Sequence, residues 1–133
     1  HPGGNLGWQL RPVSSCMHTK EAIPLISQQA SMQEAITEIS IKGLGIVGVL
    51  NEKHHLVGCL TDGDLRRLLL QNTPMTGSVS EYMHPSPQQI PPTLCIRDAR
   101  TRMHSHRITA LFVVENEGTV LGIVHIHQLT NLG

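Results

Sequence analysis

Two apolar periods alternate along this chain, and their order repeats once. Met32, Ala35, Ile36 and Ile39 fall at i, i+3, i+4 and i+7, a single helical stripe. Ser31-Met32-Gln33-Glu34 has the form of a capping box at its start, and Gly43 is placed to end it. Ile46-Val47-Gly48-Val49-Leu50 is an unbroken apolar run that predicts a buried strand. A polar turn over 51–55 follows, and 56–60 returns as the antiparallel neighbour. Leu65, Leu68 and Leu69 then recur at helical spacing and predict a helix over Asp62–Leu70. Upstream, residues 13–17 read as a short helix introduced by Ser14 or Ser15, and 23–26 as a short extended piece.

From residue 79 the pattern starts again. Val79-Ser80-Glu81-Tyr82-Met83-His84 echoes Val13-Ser14-Ser15-Cys16-Met17-His18. After a short length difference around Ile90-Pro91, the second half follows the first at an offset of 64. Ala99 answers Ala35, Met103 answers Ile39, Leu111-Phe112-Val113-Val114 answers Val47-Gly48-Val49-Leu50, and Leu129 answers Leu65. This is an internal duplication. The chain divides into a Gly- and Pro-rich stretch, 1–12, that reads as a connection from something larger, a first repeat over 13–72 and a second over 73–133. Each repeat reads strand–helix–strand–strand–helix, an α+β class. About 60 residues make a thin core alone. The expectation is two sheets packed about a pseudo-twofold axis, with the turn after each last strand in a cleft between the repeats.

Composition narrows what such a fold can do. Among 133 residues the only aromatics are Trp8, Tyr82 and Phe112, so the core must be aliphatic, and the stacking platforms of single-strand nucleic-acid binders are missing. Ten Lys and Arg balance ten Asp and Glu with no basic block, which leaves no electrostatic footprint for nucleic acid. Three cysteines without C-x-x-C spacing fit a reducing cytoplasm better than a disulfide framework. No signal peptide and no apolar run near about 18 residues is present, so neither export nor a membrane is expected.

The chemistry concentrates where Gly58-Cys59-Leu60-Thr61 turns directly into Asp62-Gly63-Asp64-Leu65-Arg66-Arg67. Thr61 and Asp64 stand three apart at a helix start, the spacing of a capping pair. The same spacing suits a nucleotide, with phosphate at the helix N-terminus and ribose hydroxyls on Asp64. One geometry serves both. In the second repeat His125-Ile126-His127-Gln128 fills these slots. Gln128 can hydrogen-bond a sugar without charge assistance, and His125 can meet an anion or cap weakly. His125 with His127, at a strand end, and His104 with His106 are each two apart and are feasible ligand pairs for zinc or nickel. No carboxylate or thiolate sits at a confirming spacing, and neutral histidine serves caps and cores equally, so neither a metal nor a cofactor is expected. Arg97 and Arg100 share a helix face, with Arg102 to one side and Arg107 past the end. They form either a solvated basic face or a contact for a ligand phosphate.

A repeated β-α-β-β-α unit whose last strand ends in Gly-h-h-Thr-x-x-Asp resembles the cystathionine-β-synthase (CBS) domain pair. The resemblance implies a regulatory module that binds adenosine nucleotides or related ligands. It places Thr61, Asp62 and Asp64 at the ligand, with His125, His127, Gln128 and Arg107 on the second side. His1-Pro2-Gly3-Gly4-Asn5-Leu6-Gly7 ahead of such a pair is similar to the arabinose-5-phosphate isomerase family, in which a sugar-isomerase (SIS) domain precedes the CBS pair. That implies a parent enzyme on the route to 3-deoxy-manno-octulosonate for lipopolysaccharide or capsule, with His1 in its catalytic site and this chain inactive alone. It also implies feedback by the cytidine monophosphate (CMP) conjugate of that sugar, the alternative to an adenosine nucleotide. A homodimer through Leu65, Leu68, Leu69, Leu129 and Leu132, and a higher oligomer in the parent, complete the expectation. An oligomerisation module with empty clefts and a metal-responsive regulator are the competing readings.

Overall fold

The computed structural model describes residues 7–130. The first repeat runs β1 (Leu25–Ser27), α1 (Met32–Lys42), β2 (Ile46–Leu50), β3 (Leu56–Thr61) and α2 (Asp62–Leu70). The second runs β4 (Gln89–Ile90), α3 (Ile96–His106), β5 (Ala110–Val114), β6 (Val120–His125) and α4 (Ile126–Thr130). Each forms a three-stranded sheet whose middle strand is parallel to the first and antiparallel to the last. Even the irregularity recurs: the register shifts between Val49 and Leu50 in one sheet and between Val113 and Val114 in the other. The α+β class and the repeated β-α-β-β-α order are therefore those the sequence predicts.

Local chemistry explains the element ends. The Ser31 hydroxyl accepts the Glu34 N–H at 3.1 Å, and Gly43 closes α1 in the left-handed region at φ 73°. The predicted box is half made, because the Glu34 carboxylate meets the Ser31 hydroxyl at 3.4 Å instead of its backbone N–H. The expected helix at 13–17 is a 3-10 turn, Val13–Ser15, entered from Pro12 without a side-chain cap. The length difference between repeats falls earlier than Ile90. His18 and His84 hold matching bridges, and β1 and β4 already hold matching registers, so it lies between His84 and Gln89, where the first repeat carries the extra turn Lys20–Ala22.

The chain forms two compact units, and they do not follow the repeats. One takes the chain up to Ile23 together with the chain from Gln88 on; the other is Pro24–Pro87. The lead segment of each repeat has been exchanged. His18 pairs with Ile123 on β6, and His84 pairs with Cys59 on β3. Gly122 and Gly58 admit these segments: a Cβ on Gly122 would stand 2.6 Å from the His18 carbonyl oxygen, and one on Gly58 would stand 3.0 Å from that of His84. Each unit has its own aliphatic core. Val13, Ile96, Ala99, Met103, Leu111, Val124 and Leu129 pack in one, and Met32, Ala35, Ile39, Val47, Leu60, Leu68 and Val79 in the other. Val13 and Val79, one from each lead segment, are fully buried in them. Among the described residues no helix is long and apolar enough to cross a membrane.

Candidate functional site

In the Pro24–Pro87 unit, β3 delivers Thr61 to the start of α2 and the capping box is complete. The Thr61 hydroxyl accepts the Asp64 N–H at 3.1 Å, and Asp64 Oδ2 accepts the Thr61 N–H at 3.0 Å. Asp64 Oδ1 accepts from Arg67 Nη1 at 3.1 Å, one helical turn on. Burial pushes the Asp64 carboxyl upward, but the Thr61 backbone, the Arg67 guanidinium and the Thr61 hydroxyl outweigh it and hold it below the ordinary carboxylate value. It is thus an anion at neutral pH, with a side chain only 18% exposed. Asp62 is exposed; its N–H donates to the Gly45 carbonyl at 3.0 Å. The Cys59 thiol, pushed to about 11 by burial and then by Asp64, stays protonated and inert. Chemically the corner offers a fixed carboxylate for vicinal hydroxyls beside helix N–H groups and partial positive charge for an anion.

The matching corner of the other unit is built differently. Gln128 Oε1 accepts the His125 N–H at 2.8 Å, in the place of Asp64. Its Nε2 donates to the Cys16 carbonyl at 2.7 Å, so the amide fastens the lead segment to α4. His125 Nδ1 accepts the His127 N–H at 3.2 Å, the second donor of the helix where Thr61 takes the third. The expected strand pair is thus a strand-end residue and a helix residue, because the helix begins at Ile126. Their rings are stacked all the same, 4.9 Å apart at 27°. Burial, then His127 and His18, hold the His125 pKa below its usual value.

The structure gathers Thr61, Asp62 and Asp64 at one corner and His125, His127 and Gln128 at the other. Arg107 joins neither hydrogen-bond set; exposed, it ends α3 in the left-handed region at φ 55°, where the first repeat has Gly43. Arg97 lies 3.9 Å from Asp98, and Arg102 reaches the Gln89 carbonyl at 3.5 Å. His104 and His106 are exposed, and among the described residues no three His, Cys, Asp or Glu side chains form a group that could hold a metal. His1 and Leu132 lie outside the described residues. Of the leucines expected to face a second copy, Leu68 and Leu129 are core and Leu65 packs against it, while Leu69 is 62% exposed and its neighbour Leu70 78%. A hollow of about 470 Å³ along α1, lined by Ile26, Ser31, Gln33, Glu34, Thr37 and Glu38, includes neither corner. Sequence reasoning missed Arg67, Cys16 and His18 as partners. Only Arg67, three residues after Asp64, had a local signal.

Two repeats of this order, each ending its last strand at a capped helix corner, define a tandem module. The CBS domain pattern matches residues 13–71 and 79–132, and the chain belongs to the CBS domain family. It is 36% identical, over 135 residues and all of its length, to the arabinose 5-phosphate isomerase KdsD of Yersinia pestis, and spans 41% of that protein. Its fold is that of CBSX2 from Arabidopsis thaliana, solved in complex with AMP (TM-score 0.79, 22% identity, 90% of this chain and 92% of that one). It is equally that of the CBS domain protein PAE2072 from Pyrobaculum aerophilum, also complexed with AMP (TM-score 0.80, 20% identity, 90% and 91%).

Proposed function

We propose that this chain is the regulatory, ligand-binding CBS pair of an arabinose-5-phosphate isomerase. The observation that carries it is the ionised Asp64 carboxylate, fixed by a complete capping box at the start of a nine-residue helix. A ribonucleotide fits that chemistry, with ribose hydroxyls on Asp64 and phosphate near Thr61. The AMP complexes of two relatives in fold support an adenosine nucleotide. A second reading, the CMP conjugate of 3-deoxy-manno-octulosonate, rests on the likeness to KdsD and on the histidines of the other corner, which would meet an acidic sugar. The parent would interconvert ribulose 5-phosphate and arabinose 5-phosphate, and we assign that chemistry to the part of the relatives beyond the stretch matched here. Leu69 and Leu70 support a homodimer through α2.

A thermal-shift series with AMP, ATP and the CMP-sugar tests the reading, because a ligand of the native state raises the melting temperature by mass action. A concentration-dependent rise with a nucleotide or nucleotide sugar is expected. No rise with any of them would leave an oligomerisation module. Sedimentation is expected to give a dimer, and a monomer at every concentration would contradict that part.

A further inference from the structure

The second corner keeps an imidazole where taking up a proton destroys a hydrogen bond. His125 Nδ1 accepts the His127 N–H, so that nitrogen carries no proton in the closed corner. Burial, then His127 and His18, disfavour the cation. Among the described residues, the segment 12–18, β5, β6 and α4 contain no Asp or Glu to serve as a counter-ion. The helix packed on α4, α3, ends in His104, His106 and Arg107, and its one carboxylate, Asp98, lies in its first turn beside Arg97. The start of α4 adds partial positive charge of its own. The same corner fastens a distant piece of chain, since Gln128 holds the His125 N–H with one end of its amide and the Cys16 carbonyl with the other.

The geometry points to a proton-released latch: a proton on His125 Nδ1 sets two donors face to face, opens the first turn of α4 and loosens Gln128 from the Cys16 carbonyl. The lead segment 12–18 then keeps its backbone pairing to β6 through His18 but loses its side-chain fastening. The sign follows from the depressed folded value. The closed corner is fully favoured above the free histidine value of about 6.5 and loses ground as pH falls through it toward the folded value, because the open form binds the proton more readily. The Thr61–Asp64 corner caps its helix with a hydroxyl and a carboxylate in place of the imidazole and serves as an internal control.

Amide hydrogen exchange of the 133-residue chain between about pH 7.5 and 5.5, corrected for intrinsic chemistry, tests this. Protection at His127 is expected to fall, by at most about tenfold per pH unit for one proton, while Asp64 keeps its protection. His125→Asn supplies a cap that does not titrate and is expected to hold His127 protection level. A wild type without the fall, or the same fall in His125→Asn, would overturn the latch. Should that variant not fold, the wild-type imidazole ¹⁵N signals decide. Protonation of Nδ1 in step with a shift of the Gln128 amide signals supports the latch, and protonation that leaves those signals unmoved refutes it.

Discussion

The two strand-to-helix corners occupy matching places and solve the same capping problem with different chemistry. At Thr61–Asp64 a hydroxyl and a carboxylate satisfy the helix start, and one carboxylate oxygen is shared only with the mostly exposed Arg67. At His125–Gln128 an imidazole and an amide do so, and the amide is also engaged by a residue 112 positions away. The first corner is local, charged and open to an exchange of partner. The second is a piece of internal carpentry. Duplicated folds can thus keep a frame while the chemistry at equivalent positions diverges, so a role assigned to one corner does not transfer to the other.

The largest effect should come from a feature that each unit has for itself, the seat of its exchanged lead segment. Gly122→Ala puts a methyl 2.6 Å from the His18 backbone oxygen and 2.5 Å from the Met17 sulfur. Gly58→Ala conflicts chiefly with the flexible Met83 side chain and stands 3.0 Å from the His84 oxygen. Both should lose stability by about 1–3 kcal/mol, Gly122→Ala more, as read by urea unfolding. An unaffected Gly122→Ala would show that the lead segment yields freely.

Converting the second corner toward the first sharpens the contrast. Gln128→Glu keeps an acceptor for the His125 N–H but removes the donor to the Cys16 carbonyl. A net loss of about 1 kcal/mol is expected despite the better helix-start charge, and a gain would show that the fastening contributes nothing. In the first corner, Thr61→Ala should cost about 1 kcal/mol through the lost cap. Asp64 should add acid sensitivity of its own. Its folded value is depressed, so its contribution is whole above the unfolded carboxylate value of about 3.9 and disappears as pH falls through the folded one. Wild type and Asp64→Asn unfolding curves at about pH 6 and pH 3 should converge toward the acid side.

The smallest effect lies at the ends of the preceding helices. Gly43 and Arg107 both take left-handed conformations there, and only glycine does so without strain. Arg107→Gly should gain up to about 1 kcal/mol in melting experiments. A loss would mean that the guanidinium makes a contact worth more than the strain.

What could be read from the sequence was local. Helical stripes, the apolar runs of β2 and β5, and the three-residue spacing of Thr61 and Asp64 rest on neighbours within a few positions, and the duplication repeats the stripes and the runs but not the Thr–Asp pair. The exchange of lead segments could not be read, since pairing His18 with Ile123 spans most of the chain. Gly58 and Gly122, small residues at the same point of both last strands, were its only trace. The leucines after β3 and β6 look alike as a stripe, but burial separates Leu68 from Leu69, and no period tells which side meets the core. The histidine pair reads as part of a strand in the sequence because the helix start at Ile126 lacks the Thr and Asp that announce the one at Asp62.

Whether Asp64 holds a ligand or only caps a helix is decided by calorimetry of AMP on the wild type and on Asp64→Ala, with folding checked by circular dichroism. A carboxylate gripping ribose through charged hydrogen bonds predicts weaker binding in the variant by about 1.5–3 kcal/mol, roughly ten- to 150-fold. AMP binding of equal affinity in the two proteins would contradict the account.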